Sequence, residues 1–184
     1  MPNYLAFMTE KPTPLLHGDL AVVAQAAEQF PQLDAEALRV YLTMRRVMSR
    51  ADRAADVHFG RYGVSYGRFL ILINLFKSEG HLLTPAALSE RCGVTRATIT
   101  GTIDTLERDG MVAREADPDD KRSVLVRLSI AGRRFLDSML PDHFERVTKV
   151  LRHLSPDERL VFEQLLNKVF AGLDALEDPT PPAC

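Results

Sequence analysis

The sequence predicts a mainly α-helical protein with one small β-hairpin, and three observations support that prediction. Between Thr84 and Leu128, two short helical stretches follow one another across a glycine. Two strand-like runs come next, on either side of a charged turn. Longer stretches flank this unit, and their apolar residues recur every three or four positions, as in amphipathic helices. Two helices joined by a tight turn and followed by a hairpin form a winged helix-turn-helix, a unit that reads DNA.

The two central helices have recognisable ends. Thr84 can cap the first helix with its hydroxyl, and Pro85 suits the first helical position, where a missing N–H costs nothing. Gly93 is expected to adopt the left-handed conformation that ends this helix. Thr95 can cap the second helix in the same way. The inward stripe of the second helix, spaced by four and three residues, is Ile99, Ile103 and Leu106.

The hairpin is predicted from its turn chemistry. Residues 111–116 and 123–128 are runs of mostly alternating polar and apolar residues. Between them, Asp117-Pro118-Asp119 favours a turn because aspartate side chains bond nearby backbone and proline fixes its own φ. We therefore expect a two-stranded wing. Its tip carries Asp120, Lys121 and Arg122.

Helices are also predicted before this unit. The alanine-rich stretch 19–30 reads as a helix stopped by Pro31. Asp34 can cap a long helix that runs to Phe59, and its apolar face is so broad that we expect this helix to be central in the fold. A further helix is expected over residues 65–80.

Two more helices are predicted after the hairpin. The first begins at Ser129 and continues past Pro141 with a bend, because a proline within a helix removes one backbone hydrogen bond. The second opens with a capping box over residues 155–158, which has proline at its first helical position. We expect this last helix to reach Leu176. Its apolar face is Phe162, Leu165, Val169, Leu173 and Leu176.

Length and charge set the broad class. The chain has 184 residues and 46% hydrophobic content, enough for one compact domain with a core. Its formal net charge of −2 identifies no partner. Residues 91–134 hold nine Arg or Lys against seven Asp or Glu, whereas residues 135–184 hold five against nine. This modest asymmetry suits a DNA-binding half and an acidic distal half.

Several classes of function lack support in the sequence. Cys92 and Cys184 suggest neither a metal site nor a disulfide framework. The five histidines show no metal-ligand pairing, and no phosphate loop or nucleophile elbow is present, so we expect no enzyme, metal or cofactor. The apolar run 69–73 is far too short to span a membrane, and no signal peptide is recognisable. We expect a cytoplasmic protein without a membrane partner.

Two segments carry a resemblance to a known family. DPDDKRSVLVRLSIAG (117–132) resembles the wing signature of the MarR family of bacterial transcription regulators. LSERCGVTRATITGTIDTLERDGMVAR (88–114) resembles that family's paired helices, and a weaker similarity extends from about Asp34 to Leu176. The resemblance implies a homodimer that binds a pseudo-palindromic operator in double-stranded DNA.

The resemblance also assigns roles to the predicted segments. It divides the chain into an N-terminal extension with one helix (1–33), a first long helix (34–64), the winged lobe (65–130), C-terminal helices (131–178) and a flexible tail (179–184). The first long helix and the C-terminal helices are implied to form the dimer interface. Their apolar faces agree with that role.

The candidate DNA-binding residues lie on the second helix and on the wing. The resemblance implies that Arg122 enters the minor groove and that Asp120 holds it there. A long cation at a hairpin tip also suits the negative potential of that groove, although an exposed turn with an incidental ion pair is the plainer alternative. Relatives often carry arginine at Gly101, so glycine there reflects either drift or close approach to the groove. The whole set is Thr84, Thr95, Arg96, Ala97, Thr98, Thr100, Gly101, Asp120, Lys121 and Arg122.

A ligand site is suggested by flexible and aromatic residues on two helices that lead into the winged lobe. Family members bind phenolic or other apolar anions in this region, and methionine adapts readily to such ligands. Ordinary core packing is the alternative for each residue. The candidates are Met44, Arg45, Met48, Tyr66, Phe69 and Ile73.

The sequence thus favours a ligand-responsive DNA-binding regulator, a repressor released from its operator by a small aromatic or phenolic compound. A winged helix that only contacts other proteins is the main alternative. A cysteine-based redox regulator is a weaker one, because the first long helix contains no cysteine and Cys92 resembles a small buried apolar residue.

Overall fold

The protein's structure, a computed structural model, describes residues 17–118 and 123–177, with side chains described from Val23 onward. The chain divides into two compact units, the first ending at Ile71 and the second beginning at Leu72. Within the described ranges, no helix combines the length and the hydropathy that crossing a bilayer requires.

The first unit is built from two packed helices and the start of a third. These are α1 (His17–Gln29), α2 (Ala35–Gly60) and the first residues of α3 (Tyr66–Lys77). Val23 of α1 is buried, and α1 packs along α2. Asp34 caps α2 as expected, because its carboxylate accepts a hydrogen bond from the Ala37 N–H at 2.9 Å.

Much of the apolar face of α2 is exposed in the described part of the chain. Phe59 is the helix's buried residue, whereas Val47 and Met48 of the predicted apolar face are exposed by 60% and 47%. Burial among the described residues therefore does not support the expectation that this helix is central. The physical reason is that periodicity identifies an apolar face but not the molecule that covers it.

The second unit contains the sheet and the remaining helices. After α3 comes a 3₁₀ turn at Glu79–His81. The elements that follow are β1 (Leu82–Leu83), α4 (Pro85–Cys92), α5 (Arg96–Arg108), β2 (Val112–Ala116), β3 (Val124–Leu128), α6 (Ile130–Val150), α7 (Pro156–Ala171) and α8 (Asp174–Glu177).

The hairpin belongs to a sheet of three strands in the order β1-β3-β2. The pairing of β2 with β3 confirms the predicted hairpin, and its antiparallel register sets Val112 opposite Leu128. The third strand, β1, was not predicted: it adds an antiparallel edge to β3, with Leu82 opposite Arg127. A strand of two residues is too short to show an alternating pattern, so periodicity could not predict it.

The core of this unit lies between the sheet and helices α3 to α6. Its fully covered residues, at 0% exposure, are Leu72, Leu75, Leu88, Ile103, Leu106, Val126, Leu136 and Met139. Gly132 lets α6 approach the sheet, since a Cβ there would lie 2.3 Å from the carbonyl oxygen of Met111. Ser129 caps α6, and its hydroxyl also donates to the carbonyl oxygen of Gly110 at 2.7 Å.

The C-terminal helices follow the predicted starts but not the predicted end. Ser155 and Glu158 form the reciprocal capping box at the start of α7. α6 is assigned as one helix through Pro141. The last helix stops at Ala171 instead of reaching Leu176, because Gly172 ends it and a separate short helix follows. No residue of α7 is buried.

Candidate nucleic-acid interface

The paired helices are fixed by local hydrogen bonds. The Thr84 hydroxyl accepts from the Ala87 N–H at 3.1 Å, and the Thr95 hydroxyl accepts from the Thr98 N–H at 3.2 Å. Gly93 adopts the left-handed conformation between the helices, with φ of 65°. Both predicted caps and the predicted turn are thus confirmed. Thr84 is half-buried, so its visible role is to cap α4.

Helix α5 separates an inward stripe from an outward face. The inward residues predicted from the spacing are all buried: Ile99, Ile103 and Leu106. The candidate DNA-binding residues of its first two turns are all exposed: Arg96, Ala97, Thr98, Thr100 and Gly101. Apart from Arg96 these side chains are short, so they leave space for a surface to approach the helix. The structure therefore brings these five candidates together on one accessible segment.

The wing strands are described up to Pro118 and again from Ser123. The Asp117 N–H donates to the carbonyl oxygen of Ser123 at 3.2 Å, which closes the last described rung of the hairpin. Asp120, Lys121 and Arg122 lie outside the described residues, and their roles remain predictions.

An ion-pair cluster that we did not predict connects α5 to the wing. Arg114 of β2 forms salt bridges with Asp104 and Glu107 of α5. The Arg114 backbone N–H also donates to the Glu107 carboxylate at 3.2 Å. The hydrogen bond to Asp104, and then that to Glu107, raises the pKa of Arg114 above its ordinary value. This cluster joins the helix to the strand at the end of α5 that lies away from its cap.

A second set of hydrogen bonds, made by Arg127, lies on the other side of the sheet. The Arg127 Nε donates to the Glu115 carboxylate at 2.6 Å, and its Nη1 donates to the carbonyl oxygen of Gly80 at 2.9 Å. The hydrogen bond from Arg127 lowers the pKa of Glu115 below its ordinary value. β2, β3 and the turn before β1 are therefore connected by one guanidinium group.

This arrangement can be compared with known proteins. The sequence profile of the MarR family matches residues 64–124. The chain is 33% identical over 156 residues to the HTH-type transcriptional repressor YetL of Bacillus subtilis (strain 168), and the match covers 85% of this chain and 93% of YetL. The chain belongs to the MarR family. As a family member it is a transcriptional regulator and not an enzyme.

Other relatives agree with this family assignment. The HTH-type transcriptional regulator PecS of Dickeya dadantii (strain 3937) is 29% identical over 80% of this chain and 90% of its own length. Sco3205, a MarR family regulator from Streptomyces coelicolor whose structure was solved in complex with DNA, superimposes with a TM-score of 0.72. It is 25% identical, and the match covers 77% of this chain and 89% of Sco3205. The winged helix-turn-helix prediction is confirmed.

The candidate ligand-binding residues have mixed environments in this MarR protein. Phe69 is buried with its ring stacked on Phe59 at 4.5 Å, and the Tyr66 ring lies 5.4 Å from the same ring. The structure thus brings Tyr66 and Phe69 together around Phe59, which is not among the predicted ligand-binding residues. Met44 and Ile73 are half-buried, whereas Arg45 and Met48 are exposed.

Cys92 has the environment of a structural residue. Its thiol is half-buried and lies 3.8 Å from the amide nitrogen of Asn74. Burial raises the pKa of the Cys92 thiol, which is the opposite of the shift that activates a cysteine. This environment argues against the redox alternative at Cys92. Cys184 lies outside the described residues. Over the described ranges, no group of three or more His, Cys, Asp or Glu side chains could hold a metal ion.

Proposed function

We propose that this MarR protein is a repressor that binds a pseudo-palindromic operator in double-stranded DNA and releases it when a small aromatic or phenolic compound binds. The observation that carries the DNA-binding part is the first half of α5, where five short or cationic residues are exposed on a capped helix. The first residues of a recognition helix are those that meet base edges in such proteins. A bacterial regulator of this kind acts in the cytoplasm.

The proposal includes a homodimer. Helix α7 exposes a nearly continuous apolar surface, which is costly to leave in water and is typical of an interaction site. The exposed apolar residues of this helix are Leu160, Val161, Phe162, Leu165, Leu166, Val169 and Phe170. We assign a second copy of this chain to that surface. A two-fold dimer can place its two recognition helices about 34–36 Å apart, which fits successive major grooves.

The wing completes the proposed DNA-binding surface. Arg122 would insert into the minor groove, with Asp120 orienting it and Lys121 close to the phosphates. Support comes from the Asp-x-Arg pattern in the sequence and from the paired strands on either side of it. A narrow minor groove attracts arginine because its potential is strongly negative.

DNA binding is tested by fluorescence anisotropy with the full chain and duplexes from its own promoter region. We expect specific binding and about 1–3 kcal/mol weaker binding by Arg122→Ala, with unchanged thermal stability. Specific binding by wild type together with unaltered binding by the variant across a salt series would contradict the wing assignment. Absence of any sequence preference in wild type would instead favour the protein-contact alternative.

The effector part of the proposal rests on the methionine and aromatic candidates. We propose that an aromatic acid or phenol contacts Met44, Met48 and the Tyr66/Phe69 pair, with Arg45 or the Tyr66 hydroxyl as a polar contact. A ligand lowers operator affinity when it binds the DNA-free conformation more tightly than the DNA-bound one. The loss of affinity is typically 5- to 150-fold, which corresponds to a coupling free energy of ~1–3 kcal/mol.

The effector is sought by a thermal-shift screen of aromatic acids and their thioesters with the purified protein. A compound that stabilises the free protein should also weaken operator binding. Met48→Trp should abolish this response, because the larger side chain fills the site, while DNA binding without the compound stays intact. If the variant still releases DNA at the same concentration of the compound, the ligand binds elsewhere.

A further inference from the structure

Several threonines of helix α5 use their hydroxyl protons within the helix. The Thr100 hydroxyl lies 2.9 Å from the carbonyl oxygen of Arg96. The Thr102 hydroxyl lies 2.8 Å from the carbonyl oxygen of Thr98, and the Thr105 hydroxyl is bonded to Gly101 in the same way. Because a carbonyl oxygen only accepts, each of these hydroxyls must be the donor.

The hydrogen bond within the helix limits what such a hydroxyl can recognise. A threonine hydroxyl has one proton and two acceptor lone pairs, so a hydroxyl that donates to its own helix can only accept from another molecule. Phosphate oxygens are acceptors and would compete for the same proton. In the major groove, the amino groups of adenine (N6) and cytosine (N4) are donors and can bond such an oxygen.

Thr100 is the residue best placed to use this chemistry. It is exposed, whereas Thr102 and Thr105 are half-buried. It lies within the first two turns of α5, the part of a recognition helix that meets base edges. An added Cβ at its neighbour Gly101 would meet nothing within 4 Å, so no described residue fills the space beside this turn.

We propose that Thr100 is a specificity-determining residue that accepts a hydrogen bond from the exocyclic amino group of an adenine or cytosine in the operator. The inference rests on the proposed DNA-binding function. It adds a direction to the contact, since the base donates and the protein accepts. Guanine and thymine present no amino group in the major groove and are disfavoured at this position of the operator.

The experiment begins by selecting duplexes from a randomised pool with the full wild-type chain. In the selected duplex, each adenine is then replaced by purine and each cytosine by 2-pyrimidinone, which removes one amino group at a time. Wild type and Thr100→Val are compared on every duplex, because valine keeps the branched shape but has no acceptor oxygen. Any weakening of the base pair itself affects both proteins equally and cancels in the comparison.

At one base, we expect removal of the amino group to weaken wild-type binding roughly three- to tenfold, the usual effect of one neutral hydrogen bond. The same replacement should not weaken binding by Thr100→Val. Thr100→Ser keeps the hydroxyl and should retain the wild-type sensitivity.

Thr148→Val is the matched control. Thr148 is an exposed threonine of α6 whose hydroxyl bonds the carbonyl oxygen of Phe144 at 2.9 Å, the same arrangement away from α5. This variant should behave like wild type on every duplex. If replacing a threonine that bonds its own helix by valine has a general effect on the protein, Thr148→Val will show that effect as well.

Two results would overturn the inference. One is an equal cost of every amino-group removal in wild type and Thr100→Val. The other is a uniform loss of affinity by Thr100→Val on selected and unselected duplexes alike, which identifies a phosphate contact. If wild type selects no sequence from the pool, the proposed function itself fails, and that outcome is distinct from both.

Discussion

The winged lobe buries its apolar residues, whereas helix α7 exposes them. In the lobe, the inward stripe of α5 is at most 1% exposed, because the sheet and the neighbouring helices cover it. In α7, an equally regular stripe is uncovered, and Phe170 is 77% exposed. Both helices are properly capped by a hydroxyl-bearing residue, so local hydrogen bonding does not explain the difference.

The difference separates two roles within one chain. The lobe buries its core by itself, so its stability should not depend on protein concentration. α7 and the exposed side of α2 have apolar surface that no described residue covers. If a second copy buries it, as proposed, the contribution of these helices to stability should depend on protein concentration. Recognition and assembly can therefore be disrupted separately.

The largest effect is expected from Leu106→Ala in the core of the lobe. Leu106 is fully buried, so the change should lower the free energy of unfolding by about 2–5 kcal/mol through lost burial and a residual cavity. Chemical denaturation measures the loss, which should be the same at low and high protein concentration. A loss that disappears on dilution would contradict the view that the lobe's core is complete within one chain.

The next effect concerns assembly. Leu165→Asp places a charge within the exposed stripe of α7 and should convert the dimer into a monomer, because an unpaired carboxylate is costly to bury. Light scattering measures the mass at micromolar concentration. Since monomers bring only one recognition helix to the operator, affinity for a two-half-site duplex should fall with the mass.

Asn167→Asp is the control for this change, since it adds the same charge on the opposite side of α7. It should remain a dimer. A wild-type chain that is monomeric at micromolar concentration would refute the dimer, and an unchanged mass for Leu165→Asp would place the interface elsewhere.

The features predicted best from the sequence depend on neighbours along the chain. Thr84, Thr95 and Ser155 cap helices because each needs only a backbone N–H two or three residues later. The inward stripe of α5 was likewise predicted correctly, because its partners are supplied by the same lobe. The exposed start of α5 followed from the same helical geometry.

The features that were missed depend on distant residues or on weak signals. The Arg114 cluster joins positions seven and ten residues apart across a helix and a strand, and no local spacing rule covers such a pair. The apolar period of α2 predicts a face to be covered but does not reveal which part of the protein or which partner covers it. The break at Gly172 was overlooked because the apolar spacing continues through Leu173 and Leu176.

A smaller effect is expected at the junction between helix and wing. Arg114→Ala removes the cation that neutralises Asp104 and Glu107, and it leaves two carboxylates on α5 that repel phosphate. The Arg114 side chain is about one-third exposed, so we expect a loss of stability below about 1 kcal/mol. DNA binding should weaken as well.

Asp104→Asn with Glu107→Gln in the Arg114→Ala background separates the two effects. This triple variant should recover DNA affinity, because the repulsion is gone, but should not recover stability. If DNA affinity stays as low as in Arg114→Ala, the cluster acts by holding α5 against β2 and not through its charge.

The smallest effect is expected at the capping box of α7, which is formed by local contacts and should not depend on a partner. The Ser155 N–H donates to the Glu158 carboxylate at 2.7 Å, and this bond lowers the pKa of Glu158 below the ordinary 4.5. Because the folded-state pKa is the lower one, the contribution to stability is complete above about pH 4.5 and is lost as pH falls through the folded-state value.

The titration is followed by NMR on the carboxyl carbon of Glu158, in wild type and in Leu165→Asp. Both proteins should show a midpoint below 4.5, because the bond to Ser155 involves only residues of the same turn. Ser155→Ala removes the hydroxyl contact and should move the midpoint part of the way back, since the backbone N–H still donates. A midpoint that returns to the ordinary value in Leu165→Asp would show that the capping box of α7 forms only when the partner is bound. The start of α7 could then not be described as stabilised by local contacts alone.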